Sequence, residues 1–413
     1  MGIVGFVGPF GDSNFGDYAM LVNDIYDINK KNIMIFSYNT DFIADISNFY
    51  LNDCNLEIVQ VDTFKIPLIA TGKSFKIEYD DYSYVPFEIL SKISNYNVLV
   101  DRVSQIEVLV VSGGGFLNRL WNAKHRQHKL FSIMAVILIA EQLKKRIVFL
   151  GNTFGPFDDS FEMFRCFFGR LQNVVYATRD NLCSPMNMRS IGVSQEITVL
   201  PDDFYFINGR LKKEALKNNT NGSYIVLELY ESIDFLDKNI EMIKEFVSAI
   251  KDKYNLNVLF LPLDREYGGQ YQGEYILKSN CEIMLYDLNL GFLPVEEACN
   301  VIKNAELIIC QRYHLFVLSI ANNIPVIQIF KDVCGDKRYY YNKSVGMLCN
   351  ILFEQEWSES LFFSLSIESA FKNIMHNYYD IISAQKNLFN SKKKESEKRL
   401  LNKRLEYINR NIL

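Results

Sequence analysis

Short apolar runs alternate with longer amphipathic stretches along the first half of the chain. Runs rich in β-branched residues predict strands at residues 3–7, 33–37, 57–61, 107–111, 147–150 and 174–178. Periodicity near 3.6 predicts helices at residues 18–29, 42–51, 129–143 and 160–171. Residues 64–95 follow neither period, and no element is predicted there. Such alternation of strands and helices is typical of a parallel α/β sheet.

The pattern is interrupted at residues 208–222 (NGRLKKEALKNNTNG), a polar stretch that indicates a linker. Beyond this stretch, strands are predicted at 224–229, 257–261, 307–310 and 325–330, and helices at 237–251, 295–303 and 315–321. A helical segment follows from residue 367, and residues 391–413 form a basic tail. We therefore predict two tandem Rossmann-like parallel-sheet domains, at 1–207 and 223–365, with the linker at 208–222 and a C-terminal helical tail at 366–413. A cleft between two such domains would be the natural ligand site.

Composition narrows the class of protein. The formal charge is −5, which gives no support for nucleic-acid binding. The longest apolar run, LFSIMAVILIA at 130–140, is too short to span a bilayer and predicts a buried helix. The N-terminus lacks the basic region of a signal peptide, and the eight cysteines include no CxxC pair. These features predict a reduced, cytoplasmic protein without a metal site.

The loop GDSNFGD, residues 11–17, follows the first predicted strand and precedes a helix. Backbone N–H groups at such a helix N-terminus can bind an anion, which makes Asn14 and Gly16 candidate ligand-binding residues. The spacing matches neither the dinucleotide-binding glycine motif nor a Walker A loop. The alternative is a tight turn in which Asp17 is the N-cap of the helix.

Further polar and glycine-rich segments follow other strands of the first half. They are Gly113–Gly115, GNTFGP with Asn152, Arg179, and LPDDF with Asp202 and Asp203. Three consecutive glycines would allow close approach of a ligand to the backbone. Loops at the carboxyl ends of parallel strands meet at one edge of the sheet, where ligands bind. The alternative is a series of ordinary turns, with Asp203 in a solvated one.

The segment CQRYH, residues 310–314, places Arg312 and His314 after a buried strand of the second half. Arginine is rarely buried without an anionic partner, which would be either an internal carboxylate or a bound phosphate or carboxylate. A histidine beside an apolar run can also be a hydrogen-bonded core residue. Both side chains could reach one ligand if the strand continued to His314.

The basic tail has two interpretations. Residues 391–413 carry eight Lys and Arg against three Glu, and Leu401, Leu405, Ile408 and Ile412 lie on one helical face. This face either packs on the protein or contacts an anionic membrane.

Taken together, GDSNFGD, GGGFL, GNTFGP, RDNLCS, LPDDF and CQRYH resemble the ordered motifs of the polysaccharide pyruvyl transferases. The resemblance covers most of residues 1–330 and implies a glycosyltransferase-B-like fold. It implies phosphoenolpyruvate as the donor co-substrate, no other cofactor, and a sugar of a surface polysaccharide or of its lipid-linked precursor as the acceptor. His314 would be the general acid, Arg312 would bind the donor, and Asp17 and Asp202 are the candidate bases.

Some residues depart from the family pattern. Cys183 and Cys310 stand where the family usually has serine, and Lys331 and Lys337 are both candidates for a family lysine. Two alternatives therefore stay open: a glycosyltransferase that uses a nucleotide sugar, and a non-catalytic homologue that binds a glycan.

Overall fold

The computed structural model describes residues 2–64, 84–207, 223–265, 269–333, 335–353, 355–391 and 393–413. The predicted linker at 208–222 lies outside the described residues, as do residues 65–83 of the segment for which no element was predicted. The chain forms two compact units. The first comprises Met1–Asp12, Met20–Asp203 and Leu400–Leu413, and the second comprises Ser13–Ala19 and Phe204–Arg399.

The first unit is built on a parallel sheet, which has nine strands in the described residues. The strands are β1 (Ile3–Val7), β2 (Asn32–Ser37), β3 (Asn55–Gln60), β4 (Ile106–Val111), β5 (Gly114–Leu117), β6 (Arg146–Phe149), β7 (Asn152–Phe154), β8 (Val174–Thr178) and β9 (Ile197–Val199). Their order is β3-β2-β1-β4-β6-β8-β7-β5, with β9 also paired to β8. In the middle of the sheet, Val4 of β1 lies opposite Ile33 of β2 on one side and Val108 of β4 on the other. The central strands β1, β2 and β4 are largely buried and apolar on both faces, because helices cover both sides of a parallel sheet.

The helices that begin in this part of the chain connect the strands. They are α1 (Phe15–Ile28), α2 (Thr40–Tyr50), α3 (Val85–Ser91), α4 (Tyr96–Gln105), α5 (Gln127–Gln142), α6 (Phe161–Phe168) and α7 (Ser184–Ser190), with a short 3-10 helix at Asp158–Ser160. Helix α5 contains the apolar run at 130–140 and is buried along nearly its whole length, as predicted. Among the helices of the described ranges, none is long and apolar enough to cross a membrane.

The second unit has a parallel sheet of six described strands in the order β12-β11-β10-β13-β14-β15. The strands are β10 (Tyr224–Leu227), β11 (Asn257–Phe260), β12 (Met284–Leu285), β13 (Ile308–Cys310), β14 (Val326–Ile329) and β15 (Phe363–Ser364). The helices that begin in this part of the chain are α8 (Ile233–Tyr254), α9 (Gln270–Lys278), α10 (Val295–Lys303), α11 (Tyr313–Ala321), α12 (Arg338–Ile351), α13 (Glu359–Phe362), α14 (Ile367–Asn390) and α15 (Lys393–Asn411), and α15 belongs to the first unit from Leu400 onward. The core contains side chains of α8, α14 and the central strands, including the stacked rings of Phe246 and Phe371.

The basic tail forms α15, and its packed face differs from the predicted one. The buried side chains are Lys393, Ser396, Leu400, Arg404, Tyr407, Ile408 and Asn411. Leu401, Leu405 and Ile412 are only partly buried. On the predicted apolar face, Ile408 is therefore buried and the other three positions are half-buried, and the buried Lys393, Ser396, Arg404 and Asn411 add polar and charged side chains to the packed side.

Candidate functional site

Four neighbouring strands of the second unit bring charged residues to one edge of the sheet. Strands β11, β10, β13 and β14 lie side by side and are parallel. Asp264 follows β11, Glu228 follows β10, Arg312 follows β13 and Lys331 follows β14. Because carboxyl ends of parallel strands meet at a common edge, residues far apart in sequence come together there.

Arg312 is held at this edge by protein partners. Its Nη1 donates to Asn14 Oδ1 at 2.8 Å, and its Nη2 donates to Asp264 Oδ2 at 2.5 Å. The guanidinium lies 4.5 Å from the centre of the Tyr230 ring. Internal carboxylates therefore partner this arginine, which was one of the two possibilities raised by the sequence. A guanidinium has five N–H bonds, and the described residues accept only two from Arg312, whose side chain is 11% exposed.

The GDSNFGD loop supplies the next contacts. Asn14 accepts from Arg312, and its Nδ2 donates to Asp17 Oδ2 at 2.6 Å. This arrangement links Asp264, Arg312, Asn14 and Asp17 in one polar chain within the second unit. Helix α1 begins at Phe15, so Asp17 lies in its first turn. The interpretation of Asp17 as an N-cap is therefore wrong.

His314 lies beside this polar chain. Strand β13 ends at Cys310 and α11 begins at Tyr313, so the strand does not continue to His314. The imidazole packs directly on Gly16, where an added Cβ would overlap the ring. Phe204 contacts the same imidazole edge-on, with 6.0 Å between ring centres. Gly16 thus has a specific role in the structure, because any side chain at that position would displace His314.

The two candidate lysines have different environments. Lys331 Nζ contacts Glu231 Oε2 at 3.0 Å and lies 4.3 Å from the centre of the Tyr230 ring, the ring that Arg312 also covers. Lys337 precedes α12, and its Nζ donates to the Leu365 carbonyl. The structure therefore brings Lys331, and not Lys337, to the ring beside Arg312.

Sequence reasoning missed three members of this site, namely Glu228, Tyr230 and Asp264. Tyr230 and Asp264 follow predicted strands, but in the second half only the segment at 310–314 was singled out, and Glu228 lies inside the predicted strand at 224–229. Burial raises the pKa of Glu228 to about 7, although the charge of Arg312 and two backbone N–H bonds oppose the shift.

The glycine-rich and acidic segments of the first unit form a separate cluster. Gly113 lies against the Asp203 carboxylate, which an added Cβ would overlap, and Gly114 begins strand β5. The Asn118 amide donates to the Gly115 carbonyl at 2.6 Å. Asn152 is buried, and its Nδ2 donates to the Val111 and Leu150 carbonyls at 3.3 Å. These glycines therefore have packing roles of their own, and their role in ligand binding remains a prediction.

Arg179 and Asp202 form a buried pair in the first unit. Arg179 Nη1 contacts Asp202 Oδ2 at 2.7 Å, and the two side chains are 1% and 0% exposed. Arg179 Nε also donates to Thr153 Oγ1 at 2.8 Å. This geometry suits a structural ion pair, since both groups use each other as partners away from solvent.

Asp203 is also fully buried, so its predicted place in a solvated turn is wrong. It accepts the Gly151 N–H at 2.9 Å and is ion-paired with Arg404 of α15. Arg404 contacts two further buried carboxylates, those of Asp24 at 2.7 Å and Asp27 at 2.6 Å. Burial raises the pKa of Asp24 well above its usual range, and the neighbouring Asp203 adds to the shift.

Metal ligands were not predicted from the sequence. Within the described residues, no three His, Cys, Asp or Glu side chains come together as a metal site would require.

Several solved structures have the same fold. UDP-GlcNAc 2-epimerase from Neisseria meningitidis, bound to UDP-GlcNAc, is 12% identical with a TM-score of 0.60, and the alignment covers 98% of this chain and 100% of that one. A putative UDP-N-acetylglucosamine 2-epimerase from Listeria monocytogenes is 10% identical with a TM-score of 0.59, covering 97% of this chain and 94% of that one. The Staphylococcus aureus MnaA–UDP structure is 13% identical with a TM-score of 0.58, covering 99% and 97%. At such identities the likeness concerns the fold alone, and it confirms the predicted glycosyltransferase-B-like class.

Family membership comes from the sequence comparison. A search of curated proteins found no significant match to this chain. A sequence model described as polysaccharide pyruvyl transferase matches residues 14–329, a range that begins in the GDSNFGD loop and ends at the last residue of β14. The chain therefore belongs to the polysaccharide pyruvyl transferase family.

Proposed function

We propose that this protein transfers a pyruvyl group from phosphoenolpyruvate to two hydroxyls of one sugar, forming a cyclic ketal. The acceptor would be a surface polysaccharide or its lipid-linked precursor. Family membership supports a transferase of this class. The observation that carries the donor assignment is the Arg312 guanidinium, which is partly exposed and has N–H groups beyond those used by Asn14 and Asp264. Such a planar cation suits the carboxylate or the phosphate of the donor.

The reaction requires proton transfers that the side chains near Arg312 can supply. His314 would protonate the methylene carbon of the donor, which makes the central carbon electrophilic. One sugar hydroxyl then attacks that carbon, the carbon–oxygen bond to phosphate breaks, and the second hydroxyl closes the ketal. The donor methylene gains one proton and phosphate takes one, which balances the two protons lost by the hydroxyls.

Asp17 is better placed than Asp202 as the base in this scheme. A general base must come within hydrogen-bond reach of the proton that it removes. Asp17 accepts from Asn14, which also contacts Arg312, whereas Asp202 is 0% exposed and paired with Arg179. The Arg312 side of the second unit thus supports donor binding, acid and base together.

We further infer that the protein works in the cytoplasm, with the exposed cations of α15 in contact with an anionic membrane. Cys281, Cys299, Cys310 and Cys349 are free thiols, which suits a reducing compartment. Lys394, Lys398 and Lys403 are exposed on α15. A lipid-linked acceptor would make such membrane contact useful.

Replacing His314 by Gln tests the proposed reaction. Loss of a general acid typically lowers the rate by about 10²–10⁴. The His314→Gln enzyme should lose turnover by that factor and keep its affinity for phosphoenolpyruvate, whereas His376→Gln on the exposed side of α14 should change neither. In deuterated water the wild-type product should carry one deuterium in the ketal methyl group by mass spectrometry. Near-normal turnover of His314→Gln, or an unlabelled methyl group, would contradict the proposed role.

A further inference from the structure

Glu228 lies directly beneath the turn that carries Arg312. It follows β10, which pairs with β13, and its side chain is fully buried. Its Oε2 accepts the backbone N–H groups of Gln311 and Arg312, both at 2.9 Å. One carboxylate oxygen therefore fixes the backbone between β13 and α11 at the residue proposed to bind the donor.

The other oxygen of Glu228 has a different environment. Among the described residues, Glu228 Oε1 and Arg312 Nε each have no hydrogen-bond partner, although they lie 3.9 Å apart. Two buried polar atoms are thus close together without a direct hydrogen bond between them. Unsatisfied buried groups of this kind are uncommon, and a functional role is one of the explanations for them.

Burial disfavours the ionised form of Glu228, while the charge of Arg312 favours it and the charge of Asp264 opposes it. Arg312 and Asp264 already form a close pair, so an ionised Glu228 leaves one net negative charge among the three. Besides these two, the titratable groups that interact with Glu228 are Cys310 and Tyr340, while Tyr230 and Lys331 lie against the guanidinium from the neighbouring turns. Burial raises the pKa of Glu228 to about 7, so both forms are present near neutral pH.

We infer that Glu228 is a positioning residue that holds the Arg312 turn and takes up a proton when an anionic donor binds at Arg312. The inference rests on the proposed donor, phosphoenolpyruvate. The arriving negative charges repel an ionised Glu228, and proton uptake removes that repulsion. A protonated Glu228 can still hold the turn, because its carbonyl oxygen can accept the backbone N–H groups of Gln311 and Arg312.

This linkage gives donor binding a defined pH dependence. Proton uptake on binding means that affinity falls as pH rises past the pKa of free Glu228, by at most about tenfold per pH unit. Phosphoenolpyruvate titrates as well, but its contribution is the same for every variant of the protein.

The test is calorimetric titration of phosphoenolpyruvate from about pH 6 to about pH 8.5 with wild type and Glu228→Gln. Glutamine keeps a carbonyl oxygen for the two N–H bonds but cannot titrate. We expect the affinity of wild type for phosphoenolpyruvate to fall with rising pH. On binding, wild type should also take up as much as about one proton more than Glu228→Gln. Titrations in two buffers of different ionisation enthalpy measure this proton uptake. Glu241→Gln, an exposed change on α8, should behave as wild type.

The outcomes separate this inference from the proposed function. If phosphoenolpyruvate binds both proteins with the same pH dependence and the same proton uptake, the role of Glu228 is overturned and the donor assignment stands. If phosphoenolpyruvate binds neither wild type nor the variant at any pH, the donor assignment fails, and the inference fails with it. Should Glu228→Gln not fold, oxalate binding to wild type replaces it, because this dianion does not titrate in the range. Proton uptake with oxalate would support the inference, and its absence would overturn it.

Discussion

At the residue scale, the behaviour of Arg312 depends on how its N–H groups are shared. Asn14 and Asp264 each accept one, and the Tyr230 ring lies against the guanidinium face. A lysine at this position would keep the charge but lose the planar fork that binds an anion through two parallel hydrogen bonds. A lysine substitution at this position therefore separates the contribution of charge to anion binding from that of the planar geometry.

We predict that Arg312→Lys remains folded and binds phosphoenolpyruvate about ten- to a hundredfold more weakly than wild type. Losing one charge-assisted hydrogen bond costs roughly 1.5–3 kcal/mol, which corresponds to that factor. Titration calorimetry measures the affinity, and circular dichroism checks the fold. Lys337→Ala is the matched control, because Lys337 Nζ donates to the Leu365 carbonyl and should leave affinity unchanged. Wild-type affinity in Arg312→Lys would remove the arginine from donor binding.

At the element scale, the part of helix α15 from Leu400 onward belongs to the first unit, where Arg404 is ion-paired. One guanidinium contacts the carboxylates of Asp24, Asp27 and Asp203, and all four side chains are 0% exposed. Asp203 also accepts the N–H of Gly151, the residue that directly precedes strand β7. The tail helix therefore stabilises a cluster of carboxylates that are 201 to 380 positions from Arg404 in sequence.

We predict that Arg404→Met lowers the free energy of unfolding by roughly 3–5 kcal/mol, because it leaves buried carboxylates without their cation. Urea denaturation measures this change. Arg410→Met, on the exposed side of the same helix, should stay within about 0.5 kcal/mol of wild type. If Arg404→Met loses no more unfolding free energy than Arg410→Met, the stability of the buried carboxylate cluster does not depend on α15.

The proposed membrane contact has to be tested without removing α15, since a truncation at Asn390 would also delete Arg404. We predict that changing the exposed Lys394, Lys398 and Lys403 to Glu reduces co-sedimentation with anionic liposomes and leaves neutral liposomes unaffected. The same charge change at the exposed Lys31, Lys238 and Lys303 is the control. Equal pelleting of the two triple variants would show that α15 has no special role at the membrane.

At the scale of the whole molecule, the strand core could be predicted from sequence and much of its surroundings could not. Apolar β-branched runs located β1, β2, β3, β4, β6, β8, β10, β11, β13 and β14, and most of these strands are buried on both faces, which demands such residues. Strands β5 and β7 were missed because they have only four and three residues and adjoin glycine-rich segments. Helices α3, α4 and α12 were also missed, α4 although its buried Leu99 and Val103 have helical spacing.

The candidate site was predictable only in part, for a related reason. Asn14, Gly16, Arg312 and His314 stood out as a local pattern, and the structure brings them together. Asp264 and Glu228 lie 48 and 84 positions from Arg312, so no local pattern could pair them with it. The ion pairs of Arg404 could not be predicted for the same reason, and its charge instead indicated a solvent-exposed side of the helix. Ion pairs across a sheet edge depend on strand order, which a single sequence does not specify.

Ligand stabilisation of the whole chain provides the final prediction, because the fold alone leaves the donor open. The solved structures that share the fold include one bound to UDP-GlcNAc and one bound to UDP, whereas the matching family is defined by pyruvyl transfer. A ligand that binds only the folded state stabilises it by about 2.7 kcal/mol at a hundredfold excess over its dissociation constant. We therefore expect phosphoenolpyruvate to raise the melting temperature of wild type, and to raise that of Arg312→Lys less at the same concentration. A panel of nucleotide sugars should leave both unchanged. Stabilisation by a nucleotide sugar alone would instead identify a glycosyltransferase, and no response to either class of ligand would favour a glycan-binding homologue without catalytic activity.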